Sequence, residues 1–178
     1  MPGNNSQGRL LARFTQQLPA GRLQWIGLRP ARKEAMHVVD EVQAIEGLGL
    51  EGDRRCQGKP GSARQVSIIS EEYIAQINHF LNCHRAEIPA AKRNIAAAIP
   101  ELLRRNLVVK GVNLLAIRHQ RIRIGEAEFE TNALCHPCSR MEQAFGEGGV
   151  AAMLGHGGLC ARVVKSGSIR LGDTVELV

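Results

Sequence analysis

The sequence predicts a mainly β domain of α+β composition: a small β-barrel with a few inserted helices. Two observations lead there. Short apolar or alternating runs recur along the chain and are separated by Gly-containing turns, the pattern of a small closed sheet. Helical periodicity is confined to a few stretches, and there is no βαβ alternation, internal repeat or dividing linker. The 178 residues therefore read as one domain, residues 21–178, preceded by a flexible polar tail, residues 1–20.

Taken in order, Leu23–Leu28 is apolar, is bounded by Arg29-Pro30 and reads as the first strand, with Trp25 in the core. Residues 36–45 alternate in their second half and give another strand, with His37 at its edge. Gly47–Ala63 is a loop rich in Gly and cations, including Arg54 and Lys59. Gly58-Lys59 does not make a P-loop: no Gly stands five positions earlier, Pro60 follows the Lys, and a strand follows the loop. The loop can still approach an anion with backbone N–H groups.

Arg64–Ile69 is β-rich. Ser70 then caps a helix that begins Glu71-Glu72, with Ile74, Ile77 and Leu81 as its apolar stripe. Ile88-Pro89 interrupts it, and Ile95–Ile99 is helix-compatible up to Pro100. Arg104-Arg105-Asn106 opens directly into a strand that ends at Gly111. Residues 114–130 read as a hairpin, with Ile122, Ile124, Ala127 and Phe129 inward and Gly125-Glu126 at the turn. A helix over Arg140–Phe145, a helical turn over 151–154, a Gly-rich turn at 155–158, a strand over Leu159–Lys165 and a final strand pair split by Gly172-Asp173 complete the chain.

The chemistry concentrates in Cys135-His136-Pro137-Cys138-Ser139-Arg140. Ser139 and Glu142 have capping-box spacing, which places Cys138 just before a helix N-terminus, where orphan N–H groups and Arg140 favour a thiolate. A thiolate there is a nucleophile, a sulfur carrier or a soft-metal ligand. Net charge is +6, which favours anionic partners, and Arg64, Arg105, Asn106, Arg140, Lys59 and Arg54 are candidates to hold an anionic cofactor. Aromatic residues are only 3%, which argues against single-strand binding by base stacking and leaves a basic nucleic-acid binder as a third and less expected reading. A thioredoxin-type reading of Cys135 and Cys138 fails because that motif opens the first helix of a βαβ unit. An alternative is a zinc-stapled binding module using Cys135, Cys138, His156 and Cys160. An odd count of five cysteines, no apolar leader and no membrane span suit reduced thiols in the cytoplasm.

Six blocks stand in the order and approximate spacing of one family. They are Leu50-Glu51-Gly52-Asp53-Arg54, Arg64-Gln65-Val66, Arg105–Gly111, Arg123–Ala127, Cys135–Met141 and Gly157–Val163. On these blocks the chain, from Leu23 to Val178, resembles the MOSC domain of molybdenum cofactor sulfurases, stand-alone bacterial proteins and mitochondrial amidoxime-reducing components. The resemblance implies a barrel of the pyruvate kinase barrel-domain type. It implies that Cys138 carries sulfur as a persulfide or ligates molybdenum, and that Cys135 matches a second thiol found in some members. Arg105-Asn106 and the basic loop resemble the pieces around the phosphate of the molybdenum cofactor, molybdopterin. It implies sulfur transfer for cofactor assembly or reduction of N-hydroxylated compounds, with a cysteine desulfurase or electron-transfer partner. No Schiff-base lysine is evident, so pyridoxal phosphate is assigned to the desulfurase. The sequence departs from the family pattern at Asn113, at His119-Gln120-Arg121 and at His156, and without the separate N-terminal β-domain of the reductase branch it is not expected to be a complete reductase by itself.

Overall fold

The computed structural model describes residues 13–178; the first part of the expected tail lies outside them. The elements are β1 (Gly21–Leu28), β2 (His37–Val39), β3 (Glu41–Ile45), β4 (Gly49–Leu50), β5 (Val66–Ser70), α1 (Glu71–Ala86), α2 (Pro100–Leu103) and β6 (Leu107–Lys110). They continue with β7 (Arg121–Ile124), β8 (Ala127–Leu134), α3 (Ser139–Phe145), α4 (Gly149–Met153), β9 (Leu159–Lys165), β10 (Gly167–Arg170) and β11 (Thr174–Leu177). Seven strands close into a barrel in the order β1-β6-β5-β9-β8-β7-β11, with β11 returning to β1 through Gly21↔Val175 and Arg22↔Thr174. Closure satisfies edge N–H and C=O groups that an open sheet would expose. β2 extends β1, and β10-β3-β4 form a small second sheet.

The mainly β barrel is the fold the sequence predicts, with one exception in its connections. β5 and β6 are parallel, Ile68↔Leu107 and Ser70↔Val109, so the chain contains one βαβ crossover through α1 and α2. Parallel neighbours cannot be joined by a tight turn and need a connection of a dozen or more residues, which residues 71–106 supply.

Alternation sorts the strand side chains into two cores. Leu23, Ile26, Val66, Ile68, Leu107, Val109, Ile122, Ile124, Phe129 and Leu159 fill the barrel. Ile69 and Val108 point outward and pack with Ile77, Leu81, Leu103, Met141, Phe145 and Met153 from the helices. Trp25 packs against this second cluster, where the β1–β6 register shifts between Leu23 and Trp25. α1 begins as the sequence predicts: Ser70 Oγ accepts the Tyr73 N–H, and Glu71 and Glu72 lie in the first turn. Thr15 is buried and exchanges hydrogen bonds with Gln120, and Leu18 packs on the barrel.

Three expectations change in detail. Residues 95–99 form no helix; Pro100 instead occupies the first position of α2, where its missing N–H is not needed. The hairpin begins at Arg121, residues 114–119 being turns, although Gly125 with φ 55° sits at the turn as expected. The capping box does not form. Cys138 is itself the N-cap of α3, and Glu142 accepts from Gly148 N and Val150 N at 2.8 Å, tying α3 to the start of α4. Two N–H groups facing one carboxylate hold it below its usual range; the Val150 contact is the larger cause.

A candidate anion site with a thiol on its wall

Adjacent strands lay a row of polar side chains across the outer face at one end of the barrel. Ser67 on β5 stands opposite Cys160 on β9, and Asn106 precedes β6 beside Ser67. Asn106 is fully buried. Its Nδ2 donates to Gly27 O at 3.0 Å and Asp53 Oδ2 at 2.8 Å. Its Oδ1 accepts from Ser67 N at 3.1 Å, Ser67 Oγ at 3.0 Å and Arg29 Nη2 at 2.7 Å. All of its capacity is used inside the protein, so Asn106 positions its neighbours and has nothing left to offer a ligand.

Its chief neighbours are Asp53 and Arg29. Arg29 Nε lies 2.9 Å from Asp53 Oδ2 and Nη2 lies 3.2 Å from Oδ1, with the pair almost wholly out of solvent. Burial alone would raise the Asp53 pKa, but Arg29's hydrogen bonds and charge, with the N–H groups of Arg55 and Arg29, hold it below its ordinary value. This pair fixes the loop after β4 to the end of β1, and Arg54 N donates to Arg29 O across the same junction.

Above the network lies a cleft of about 130 Å³ lined by Arg29, Arg54, Arg104, Arg105 and Arg140, with His136, Cys138, Leu103, Pro137 and Met141. No carboxylate lines it. The other five ion pairs among the described residues join more exposed groups away from the cleft, such as Arg123–Glu176 and Arg170–Glu41. The cleft cations therefore repel one another. Arg54 is depressed by burial and then by the charges of Arg29 and Arg55, and Arg104 by burial and then by Arg29 and Arg140. Arg54 Nε is buried without a hydrogen-bond partner among the described residues. Arg104, in the left-handed region at φ 53°, spends two of its donors on Glu34 O and Ala31 O.

Arg105 is buried and its fork latches three segments: Nε to Gly157 O at 2.8 Å, Nη1 to Leu103 O at 2.7 Å and Nη2 to Cys135 O at 3.4 Å. A Cβ on Gly157 would fall on the Cys135 carbonyl, so this close approach requires glycine. Cys138 is exposed, and its side chain makes no capping hydrogen bond. Cys135 is half-buried. The Cys160 thiol is the largest influence and lowers its pKa; burial opposes, and Arg105, Arg29 and Arg64 add to the lowering, which reaches about 6. The proton correspondingly stays on Cys160, whose pKa is raised.

The residues predicted from sequence thus separate. Cys138, Arg105, Arg140 and Arg54 meet at the cleft. Asn106 lies beneath it. Arg64 is exposed and outside the lining, though its charge reaches Cys135, and Lys59 is exposed on the loop and also outside the lining. Arg29 and Arg104 were not singled out. Arg29 reads locally only as the end of a strand and Arg104 as one of two adjacent cations; the pairing of β1 with β6 brings them together. The zinc alternative does not assemble. His156 packs its ring against Tyr73 at 5.3 Å and Phe80 at 5.6 Å, Cys138 is exposed, and no three His, Cys, Asp or Glu side chains gather to hold a metal among the described residues.

Barrel and cleft together define a small closed-barrel protein with an arginine-lined cleft and an exposed thiol at its wall. The chain belongs to the MOSC domain family, whose family model matches residues 53–176. Three solved structures share the fold. YuaD protein from Bacillus subtilis superposes with TM-score 0.69 at 19% identity, over 89% of this chain and 96% of that one. YiiM from Escherichia coli gives 0.61 at 22% identity over 88% and 69%. YiiM from Geobacillus stearothermophilus gives 0.61 at 16% identity over 90% and 75%. At these identities the likeness bears on the fold alone. No curated protein matches the sequence. No helix among the described residues is long and apolar enough to cross a membrane.

Proposed function

We propose that this MOSC-domain protein binds the molybdenum–pterin cofactor through its anionic head group, with Cys138 presented to the metal. The observation that carries the reading is the five-arginine cleft, free of carboxylates and walled by Cys138. The residues present fit such a group. Arg54 Nε is a buried donor with no acceptor among the described residues, and a phosphate oxygen is an acceptor of the right charge. Arg54, Arg104 and Arg140 would hold the head group, and the Cys138 thiolate is a ligand type suited to molybdenum. Arg29 and Arg105, tied to Asp53 and to backbone carbonyls, keep the cleft walls in place and add positive potential. When bound, the cofactor supplies a redox-active metal centre able to exchange an oxygen atom or two electrons with a small substrate such as an N-hydroxylated compound. This chain's own residues bind, orient and present the thiol. In this reading residues 21–178 form the functional domain, in the cytoplasm, with an electron-transfer protein as partner.

A second reading rests on the exposure of Cys138 at the head of α3. An accessible thiol there can accept sulfane sulfur from a pyridoxal phosphate-dependent desulfurase and pass it on. One preparation tests both. Protein made in a cofactor-competent host is analysed for molybdenum, pterin and cyanide-releasable sulfur, beside Cys138→Ala. Molybdenum and pterin present in the parent, with molybdenum lost in the variant, supports the first reading; thiocyanate release confined to the parent supports the second. Neither metal nor releasable sulfur on the parent sinks both.

A further inference from the structure

Cys135 and Cys160 are nucleophilic groups that the proposed chemistry at Cys138 does not use. β8 and β9 are antiparallel with Leu134 opposite Leu159, so Cys135 and Cys160 share the outer face on the diagonal of that pair. The residue opposite Cys135 is Gly158, linked by Cys135 N–H to Gly158 O at 2.8 Å, and it adds no side chain to the face the two cysteines share. Cys160 is 6% exposed, shielded from solvent, whereas Cys135 is half-buried and lines a small opening with His136, Pro137 and Gly157. One sulfur can thus meet a small reagent, and the other waits behind it.

We propose that Cys135 and Cys160 are a redox modification site, a dithiol that a peroxide converts into an intramolecular disulfide beside the cleft. The Cys135 thiolate attacks a peroxide oxygen. The O–O bond breaks, hydroxide leaves, and Cys135 carries a sulfenic acid. Cys160 then gives up its proton and attacks the Cys135 sulfur; the S–S bond forms and the second oxygen leaves as water. The two sulfurs lose two electrons, and hydrogen peroxide is reduced to two waters.

The other thiols are placed differently. Cys56 is pushed up by burial and then by the Glu51 and Asp53 charges, which disfavours its thiolate. Cys83 lies on the exposed side of α1 beside His79, 3.7 Å away, with no thiol as its partner. Positive charge from Arg105, Arg29 and Arg64 favours the Cys135 thiolate, so the site selects its own first target. Disulfide formation would draw Cys135 toward β9. Its carbonyl is held by Arg105 Nη2, and the segment leads directly to Cys138, so the bond would change the support of the cleft wall.

The test is hydrogen peroxide treatment of the reduced full chain, followed by alkylation in denaturant and peptide mapping. The expected result is loss of two of the five thiols, a cross-linked peptide joining Cys135 to Cys160, and recovery of all five with dithiothreitol. The cross-link should persist in Cys138→Ser and Cys83→Ser and vanish in Cys135→Ser. Because Cys160 is buried and its replacement can disturb folding, mapping of the unsubstituted chain decides the matter. Five intact thiols, over-oxidation of Cys135 without a cross-link, or a cross-link from Cys135 to Cys138 would each overturn the proposal.

Discussion

Replacing Asp53 by Asn removes the counter-charge on which the cleft is built. The Asp53 carboxylate accepts from Arg29 N, Nε and Nη2, from Arg55 N and from Asn106 Nδ2. An amide keeps the shape but turns one acceptor oxygen into a donor. If the NH2 takes the Oδ1 position it opposes Arg29 Nη2 and Arg55 N; at the Oδ2 position it opposes three donors. Either way Arg29, 13% exposed, is left as an uncompensated cation. Breaking a buried pair from one side costs about 3–5 kcal/mol, against roughly 5–15 kcal/mol for a whole domain. With a urea slope of about 2 kcal/mol per molar, the midpoint should fall by roughly 1.5–2.5 M. The pH dependence has a definite sign. The folded pKa of Asp53 lies below its ordinary value of 3.8, so its stabilisation is complete above that value and lost as pH falls through the folded one. The parent should therefore lose stability on acidification below 3.8 more steeply than Asp53→Asn. Urea melts of both proteins at neutral and acid pH read out both effects. A midpoint shift under about 0.3 M, less than ~1 kcal/mol on the same slope, would show that the network does not organise this end of the barrel.

Three further outcomes follow from the site. Cys138→Ser should leave the unfolding free energy from urea melts within about 0.5 kcal/mol of the parent, since the thiol is exposed and makes no capping bond, while abolishing the chemistry assigned to Cys138. Gly157→Ala should destabilise by about 1–3 kcal/mol, because its Cβ would displace the Cys135 carbonyl and with it the Arg105 latch; thermal melts check this. The alkylation rate of Cys135, followed by peptide mapping, should rise with pH around a midpoint of about 6, and Cys160→Ala should move that midpoint up, because the Cys160 thiol is the largest support of the thiolate.

Much of the fold is legible locally. The Ser70 cap and Glu71-Glu72 mark α1, and Gly125 between alternating runs marks the β7–β8 turn. A barrel is predicted as a class, but which strands close it is not legible, because Gly21 pairs with Val175 from the opposite end of the chain. The parallel β5–β6 pairing is hidden for a related reason: residues 71–106 contain Pro89 and Pro100 and a non-helical stretch, so they do not look like one crossover. At the site, residue type singles out a cysteine and several arginines that the fold brings to one cleft, but side-chain direction is not legible. Asn106 looks like a ligand group in sequence, yet β1, β5 and the loop after β4 hold it buried. Glu142 has capping-box spacing, but the N–H groups of Gly148 and Val150 compete for it and win. Arg29 joins the cleft through a partner 77 residues away, a relation no local pattern carries.

The central claim is that the arginine cleft holds the anionic head of a molybdenum–pterin cofactor. The most direct measurement is the molybdenum and pterin content of the protein purified from a cofactor-competent host, compared with Arg54→Ala/Arg104→Ala. These two arginines line the cleft and are not paired to an acid. The account predicts molybdenum and pterin in equal amounts, near one per chain, in the parent, and loss of both in the double variant with the fold retained by circular dichroism. Equal loading of parent and variant, or a parent carrying neither, would contradict it.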